Sequence, residues 1–308
     1  MEALGNGTWH MIFVDSGTYF GTASEATQMS VTYSSNIQTY TAKNCMVMSP
    51  QSIITCATVP GAGGPVYWVV SVGGQNSVSV KGIKYRNPTL TGVSGGSSLS
   101  TEGGQQVVLS GLDFGPAGVS GVQIIAIYGP QPYDMPCSLT QSSPTAVCTT
   151  VEGVGANLTI QIQVAGLISN PIAAALSYLP PSVTSVALPL GMRTMPTTGG
   201  TPLMFQGFNF GPSTQTPSVI YFQQGSSMTY SAVQCIAHHT TMSCSSTQGV
   251  GTNLIFVVTV GEQSGTSPNT LSYTGTPDCC LGPFWYRLSC SLTLPISFIF
   301  LYALLISL

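Results

Sequence analysis

The chain is short of charge. Of its 308 residues, six are Lys or Arg and nine are Asp or Glu, 5% in all, where an ordinary soluble protein carries roughly 25%. The basic residues Lys43, Lys81, Lys84, Arg86, Arg193 and Arg287 are spread over the whole length. They cannot build the cationic surface that holds a phosphate backbone, which argues against nucleic acid as a partner. Histidine is just as scarce, at His10, His238 and His239, and Asp15, Asp113 and Asp134 each stand alone. No acid–base pair can be nominated from so few groups, and no Asp-x-Asp calcium loop occurs. The histidines come without a Gly-x-Ser-x-Gly nucleophile elbow. The glycine-rich residues 61–64 lack the downstream lysine of a phosphate loop and open no helix. The expectation is a protein that is not an enzyme and takes no cofactor or metal. Low charge does not mean disorder here, because 43% of the residues are hydrophobic and a disordered chain is usually poor in them.

Glycine and proline are plentiful, 35 and 21 residues without a collagen period, which suits many short strands joined by tight turns. They also punctuate a repeat. Gly-x-x-Phe-Gly occurs at residues 17–21 (GTYFG), 111–115 (GLDFG) and 207–211 (GFNFG), and each is followed by two close cysteines: Cys45 and Cys56, Cys137 and Cys148, Cys235 and Cys244. A shared phrase follows the second cysteine, and each unit closes on a tyrosine, at Tyr85, Tyr178 and Tyr273. The unit is therefore about 95 residues, longer than most solenoid repeats and the size of a compact domain. Inside it the period is two. Leu158, Ile160, Ile162 and Val164 alternate with Thr159, Gln161 and Gln163, the pattern of a strand with one dry face. Residues 107–109, 122–128 and 146–149 are further strand candidates, and no helical period precedes Cys279. Several short strands per unit predict a two-layer antiparallel sandwich.

Residues 88–93 (PTLTGV) and 181–186 (PSVTSV) open the second and third units, and Gly104 and Gly200 precede the next strand. With the Gly-x-x-Phe-Gly turn, the cysteine pair and the closing Ser-Tyr, the sequence from 9 to 273 resembles the IPT/TIG domains. These are immunoglobulin-like sandwiches of plexins, related receptor ectodomains, algal and protist surface proteins and some transcription factors. The resemblance implies an all-β chain of three tandem immunoglobulin-like (IPT/TIG) β-sandwich domains at residues 1–86, 87–179 and 180–274, with a spacer and hydrophobic tail at 275–308. The family serves as spacers, adhesion modules, dimerisation units and DNA-binding accessories, so the fold leaves the task open.

Between the partners of the three cysteine pairs lie 10, 10 and 8 residues. In an oxidising compartment this reads as one disulfide per unit, worth roughly 3 kcal/mol through loop entropy; reduced core cysteines are the alternative. His238 and His239 lie between Cys235 and Cys244, but the other units have no histidine there, so a solvated loop is expected rather than a zinc site. Asn6 and Asn157 head glycosylation acceptor triplets. The first unit lacks the Pro-led strand that opens the other two. Either the chain is truncated, or the open edge accepts a strand from another subunit. At the other end Cys279, Cys280 and Cys290 have no place in the repeat, and the 21 residues from 288 carry no charge, enough to cross a bilayer as a helix. Small residues at 274–276, a spacer and an apolar end also fit a lipid-anchor signal. Lipid anchor, transmembrane helix and misread frame all stay open.

The expected function is that of an extracellular, cell-surface adhesion or surface-coat protein whose partner is a protein or glycan, self-association included, with membrane contact through the tail. The alternatives are a filament subunit assembled by strand donation and a fragment of a plexin-like receptor. Aligned on the second cysteine, the outward positions of one strand are polar in the second unit (Thr159, Gln161, Gln163). They are apolar at Tyr67 and Val69 in the first and at Ile255 and Val257 in the third. These four are the candidate contacts, since exposed apolar patches mark partner sites. A covering loop or neighbouring domain is the competing account.

Overall fold

The structure is a computed structural model that describes residues 10–13, 29–35, 37–49, 53–117, 124–129, 133–140 and 145–275. Asn6, the first Gly-x-x-Phe-Gly turn and residues 276–308, with Cys279, Cys280 and Cys290, lie outside them. Among the described residues every regular element is a strand, and the chain forms three tandem immunoglobulin-like sandwiches.

The first sandwich contains β1 (His10–Phe13), β2 (Met29–Ser34), β3 (Thr39–Thr41), β4 (Lys43–Ser49), β5 (Ile53–Ala57), β6 (Tyr67–Val72), β7 (Gln75–Asn76) and β8 (Val80–Lys81). Its sheets run β1-β5-β4 and β3-β2-β6-β7, with β8 also on β6. The second contains β9 (Thr89–Ser94), β10 (Gln106–Leu112), β11 (Ile124–Tyr128), β12 (Tyr133–Leu139), β13 (Thr145–Thr149), β14 (Leu158–Val164), β15 (Leu167–Ile168) and β16 (Ile172–Leu176). Here β12 belongs to both layers: its first half pairs with β11 and its second half with β13. The third contains β17 (Ser182–Ala187), β18 (Pro202–Phe208), β19 (Ser218–Gln223), β20 (Thr229–Ser231), β21 (Val233–His238), β22 (Thr241–Ser245), β23 (Leu254–Val260) and β24 (Gln263–Thr266). Its sheets run β17-β18-β22-β21 and β20-β19-β23-β24.

The alternation seen in the sequence is the alternation of burial. β14 buries Leu158, Ile160, Ile162 and Val164, and β23 buries Leu254, Phe256, Val258 and Val260, each side chain contributing roughly 1.5–3 kcal/mol. The Gly-x-x-Phe-Gly turn feeds the same cores. A Cβ on Gly111 or Gly207 would strike the carbonyl of Thr89 or Ser182 on the adjoining first strand. Asp113 and Asn209 then take left-handed φ values of 60° and 61°, and Phe114 and Phe210 drop into the interior. In the first sandwich β1 pairs with β5 and has no second neighbour among the described residues, whereas β10 and β18 carry β9 and β17 on their far edges.

The closing tyrosines complete each sandwich. Tyr273 donates to the carbonyl of Thr247 at 2.6 Å, accepts from Tyr221 at 2.8 Å, and Tyr221 accepts from the Thr247 amide at 3.0 Å. Tyr85, Tyr33 and Val59 form the same ring. In the second sandwich Tyr128 meets Tyr178, which donates to Val151. Each tyrosine pair thus clasps the loop that leaves the second cysteine. Burial, above all, pushes the hydroxyls of Tyr85, Tyr178 and Tyr273 far above the ordinary tyrosine range. Two clasped loops reach beyond their own sandwich: Ala62 is part of the second core and Val154 of the third.

Candidate binding surface

The six repeat cysteines lie in three bonded pairs, Cys45–Cys56, Cys137–Cys148 and Cys235–Cys244. Each pair joins neighbouring strands of one sheet, β4 to β5, β12 to β13 and β21 to β22, instead of bridging the layers. Asn44 and Gln234, just before the first cysteine, take left-handed φ values of 52° where the register with the partner strand shifts. Proline at 136 cannot adopt that conformation, and there Cys137 faces Cys148 in an unbroken ladder. Three disulfides in successive small sandwiches are the chemistry of an oxidising compartment outside the cytosol.

The outward positions differ between sandwiches. On β6, Tyr67 is 43% exposed and Val69 is half-buried. Their cross-strand partners on β2 are Ser34 and Thr32, and Lys81 of β8 stands on the other side of Tyr67. These cross-strand partners of Tyr67 and Val69 are polar. On β23, Ile255 and Val257 are half-buried and stand opposite Phe222 and Ile220 of β19. The four side chains form a two-by-two apolar block on the outer face of the β20-β19-β23-β24 sheet. No strand of that sheet contains a charged residue. Alignment of β23 with the alternating β14 on the second cysteine pointed to half of this block. Ile220 and Phe222 were hidden because Val219, Ile220, Tyr221 and Phe222 run apolar on both faces of β19; the cross-strand register is what reveals them.

A second row lies on the cysteine-bearing sheets. Met204 on β18 and Ile236 on β21 flank Ser243 of β22 and are 50% and 58% exposed. Met46, in the position of Ile236, is exposed too, while Ser138 takes the place in the second sandwich. Asn157 is exposed at the entry to β14 with φ 55°, open to solvent for glycosylation. His238 is exposed, but His239 is not in a free loop. Its Nδ1 is 3.1 Å from the hydroxyl of Thr101 and its Nε2 is 3.4 Å from a carboxylate oxygen of Glu152, so it lies where the second and third sandwiches meet. Among the described residues no three His, Cys, Asp or Glu side chains come together around a possible metal position.

No family model matches the sequence, and no curated protein matches it at a significant level. Similar solved structures include the extracellular region of plexin A4, at 13% identity over 80% of this chain and 30% of that one, TM-score 0.29. The Yersinia pseudotuberculosis adhesin InvE is similar at 12% identity over 61% and 59%, TM-score 0.37. The surface glycan-binding protein PbSGBP-B of Prevotella bryantii is similar at 13% over 59% and 42%, TM-score 0.35. The chain thus spans less than a third of the plexin it resembles.

Proposed function

We propose that the chain is a non-enzymatic surface protein of the IPT/TIG type, a string of immunoglobulin-like sandwiches displayed outside the cell that adheres through protein contacts. The observation that carries this reading is the apolar block of Ile220, Phe222, Ile255 and Val257 on an uncharged sheet. Contiguous apolar surface of this kind marks partner sites. With no charge on the sheet, the partner is recognised by apolar fit and by hydrogen bonds to the surrounding Ser, Thr and Gln side chains. The three disulfides support display in an oxidising space. Attachment through residues 275–308, as lipid anchor or helix, would hold the molecule at the surface.

The test gives the third sandwich the outward face of the second. Replacing Ile255→Thr and Val257→Gln puts the residues found at Thr159 and Gln161 onto β23, leaving its buried face untouched. Beads coated with this variant should lose most of their adhesion to cells that bind the wild type. Unchanged adhesion by a folded variant would remove the block from the binding face. A filament built by strand donation is the second reading, favoured by the edge of β1, which has no second neighbour among the described residues. A peptide copying residues 87–93 should then suppress assembly.

A further inference from the structure

Each sandwich carries a clasped loop after its second cysteine: Gly61-Ala62-Gly63, Gly153-Val154-Gly155 and Gly249-Val250-Gly251. The leading glycine lies under the closing tyrosine. A Cβ there would come within 2.5, 2.7 and 2.8 Å of the hydroxyls of Tyr85, Tyr178 and Tyr273. The clasp therefore fixes the loop and leaves its middle residue projecting. Ala62 is 5% exposed and Val154 8%, but Val250 is 55% exposed. The difference is what each one meets.

Ala62 and Val154 enter the next sandwich at the same place. Ala62 packs against Gly115, at 3.2 Å from where a Cβ would stand, and Val154 packs against Gly211 at 2.6 Å by the same measure. Beside them lies the turn that follows β14 or β23. It begins at Ala165 and Gly261, with φ 49° and 54°. The two joints trade volume: the loop with the small Ala62 meets an alanine, Ala165, whose Cβ stands 3.2 Å from where a Cβ on Gly63 would lie, whereas the larger Val154 meets a glycine, Gly261. A Cβ on Gly261 would stand 2.6 Å from the Gly155 amide nitrogen and 2.9 Å from Val154 Cγ2. Gln263, just after that turn, donates to the carbonyl of Tyr178 at 3.0 Å.

The first sandwich has the same turn, unfilled. Residues 72–75 read Val-Gly-Gly-Gln against Val-Gly-Glu-Gln at 260–263. Gly73 has φ 55°, matching Gly261, and a Cβ on it would meet nothing within 4 Å. Among the described residues, then, the third sandwich has a free valine loop and the first a free glycine turn. The valine loop and the glycine turn match those that join the second sandwich to the third, while Gly21, the counterpart of Gly211, lies outside the described residues.

We propose that Val250 of one copy of this chain seats against Gly73 of a second copy, with the Gln75 amide donating to the Tyr273 carbonyl, so that copies associate head to tail. Such a contact uses two different surfaces, so it is heterologous and propagates from copy to copy into a chain or ring. It lacks the covalent linker of the internal joints and is correspondingly weaker than they are. It goes beyond the adhesive reading, because it uses the loop after β22 and the turn after β6 and none of the apolar block.

The volume trade supplies the experiment. Sedimentation velocity of the full chain across a concentration series should show reversible association that Gly73→Ala weakens roughly tenfold or more, the scale of an overpacked contact. Ala165 shows that alanine takes this backbone conformation, so the variant should keep its circular dichroism. Val250→Ala alone should weaken association several-fold by leaving a gap. The double variant Gly73→Ala, Val250→Ala rebuilds the alanine-loop, alanine-turn combination of the first joint and should associate more tightly than Gly73→Ala alone. A wild type that stays monomeric would overturn the proposal. So would association that is equal in all four proteins, which would place the contact elsewhere, including in residues 276–308. A double variant no better than Gly73→Ala would do the same.

Discussion

Removing one hydroxyl from a tyrosine clasp tests how the repeat holds itself together. In the third sandwich the Thr247 amide donates to Tyr221, Tyr221 donates to Tyr273, and Tyr273 donates back to the Thr247 carbonyl. Both phenol rings are buried, at 0% and 2% exposed, so phenylalanine fills the same space and only the hydrogen bonds change. Tyr273→Phe takes the donor from the Thr247 carbonyl and the acceptor from Tyr221. An orphaned buried group costs about 1–3 kcal/mol. Tyr221 retains the Thr247 hydroxyl at 3.1 Å, which recovers part, so the expected net loss is about 2 kcal/mol. Tyr221→Phe strips the acceptor from the Thr247 amide and should cost a similar amount. The double variant should lose about 1 kcal/mol less than the sum, since the first deletion has already opened the ring. Unfolding of a three-domain chain need not be two-state, so the readout is hydrogen exchange of the peptide containing Thr247. A loss of about 2 kcal/mol lowers its protection by roughly thirtyfold. Single variants costing under about 0.5 kcal/mol, or strict additivity, would refute the closed ring.

Alkaline pH should act through the same groups. The hydroxyls of Tyr85, Tyr178 and Tyr273 titrate far above their unfolded value of about 10, raised chiefly by burial. Their stabilisation is complete below about pH 10 and declines as pH rises beyond it, by about 1.4 kcal/mol per pH unit for each tyrosine still protonated in the folded state. Tyrosinate absorbance from these residues should therefore appear together with loss of the far-ultraviolet β signal; titration with the fold intact would contradict the clasp. For Asn157, exposed at the entry to β14, secretion from eukaryotic cells should give a glycopeptide at that site, and Thr159→Ala should abolish it without altering secretion. An unmodified wild-type peptide would show that the triplet is not used.

The strands and cores were legible because the physics that makes them is local. A half-buried strand writes period two into its own residues, as β14 does, and the repeated cysteines and Gly-x-x-Phe-Gly turns mark where each unit folds back. What escaped was written in pairs far apart. Tyr85, Tyr178 and Tyr273 were visible as closing marks, but their partners Tyr33, Tyr128 and Tyr221 lie 52, 50 and 52 residues earlier. No periodicity joins positions at that distance. The recurrence of these earlier tyrosines at the repeat spacing was the available signal. His239 was expected in a solvated loop for the same reason: Thr101 and Glu152, which receive it, belong to another repeat. Ile220 and Phe222 escaped because a strand that is apolar on both faces has no alternation to read, and β19, unlike β23, was not aligned with an alternating strand of another unit.

The loop after the second cysteine brings these levels together. Read within one repeat, Gly153-Val154-Gly155 is a turn whose glycines admit a tight bend. The structure gives its residues separate tasks: Gly153 makes room for the Tyr178 hydroxyl, and Val154 leaves its own sandwich for the next core. The tyrosine that completes one domain therefore also positions the residue that begins the next contact. Loosening a clasp should consequently be felt in two sandwiches at once. Substitution of the apolar block on β19 and β23, which touches neither clasp nor loop, should be felt in binding alone. Stability and the stacking of repeats share one set of residues and the proposed adhesive surface is built from another, so that surface can vary while the manner of stacking stays fixed.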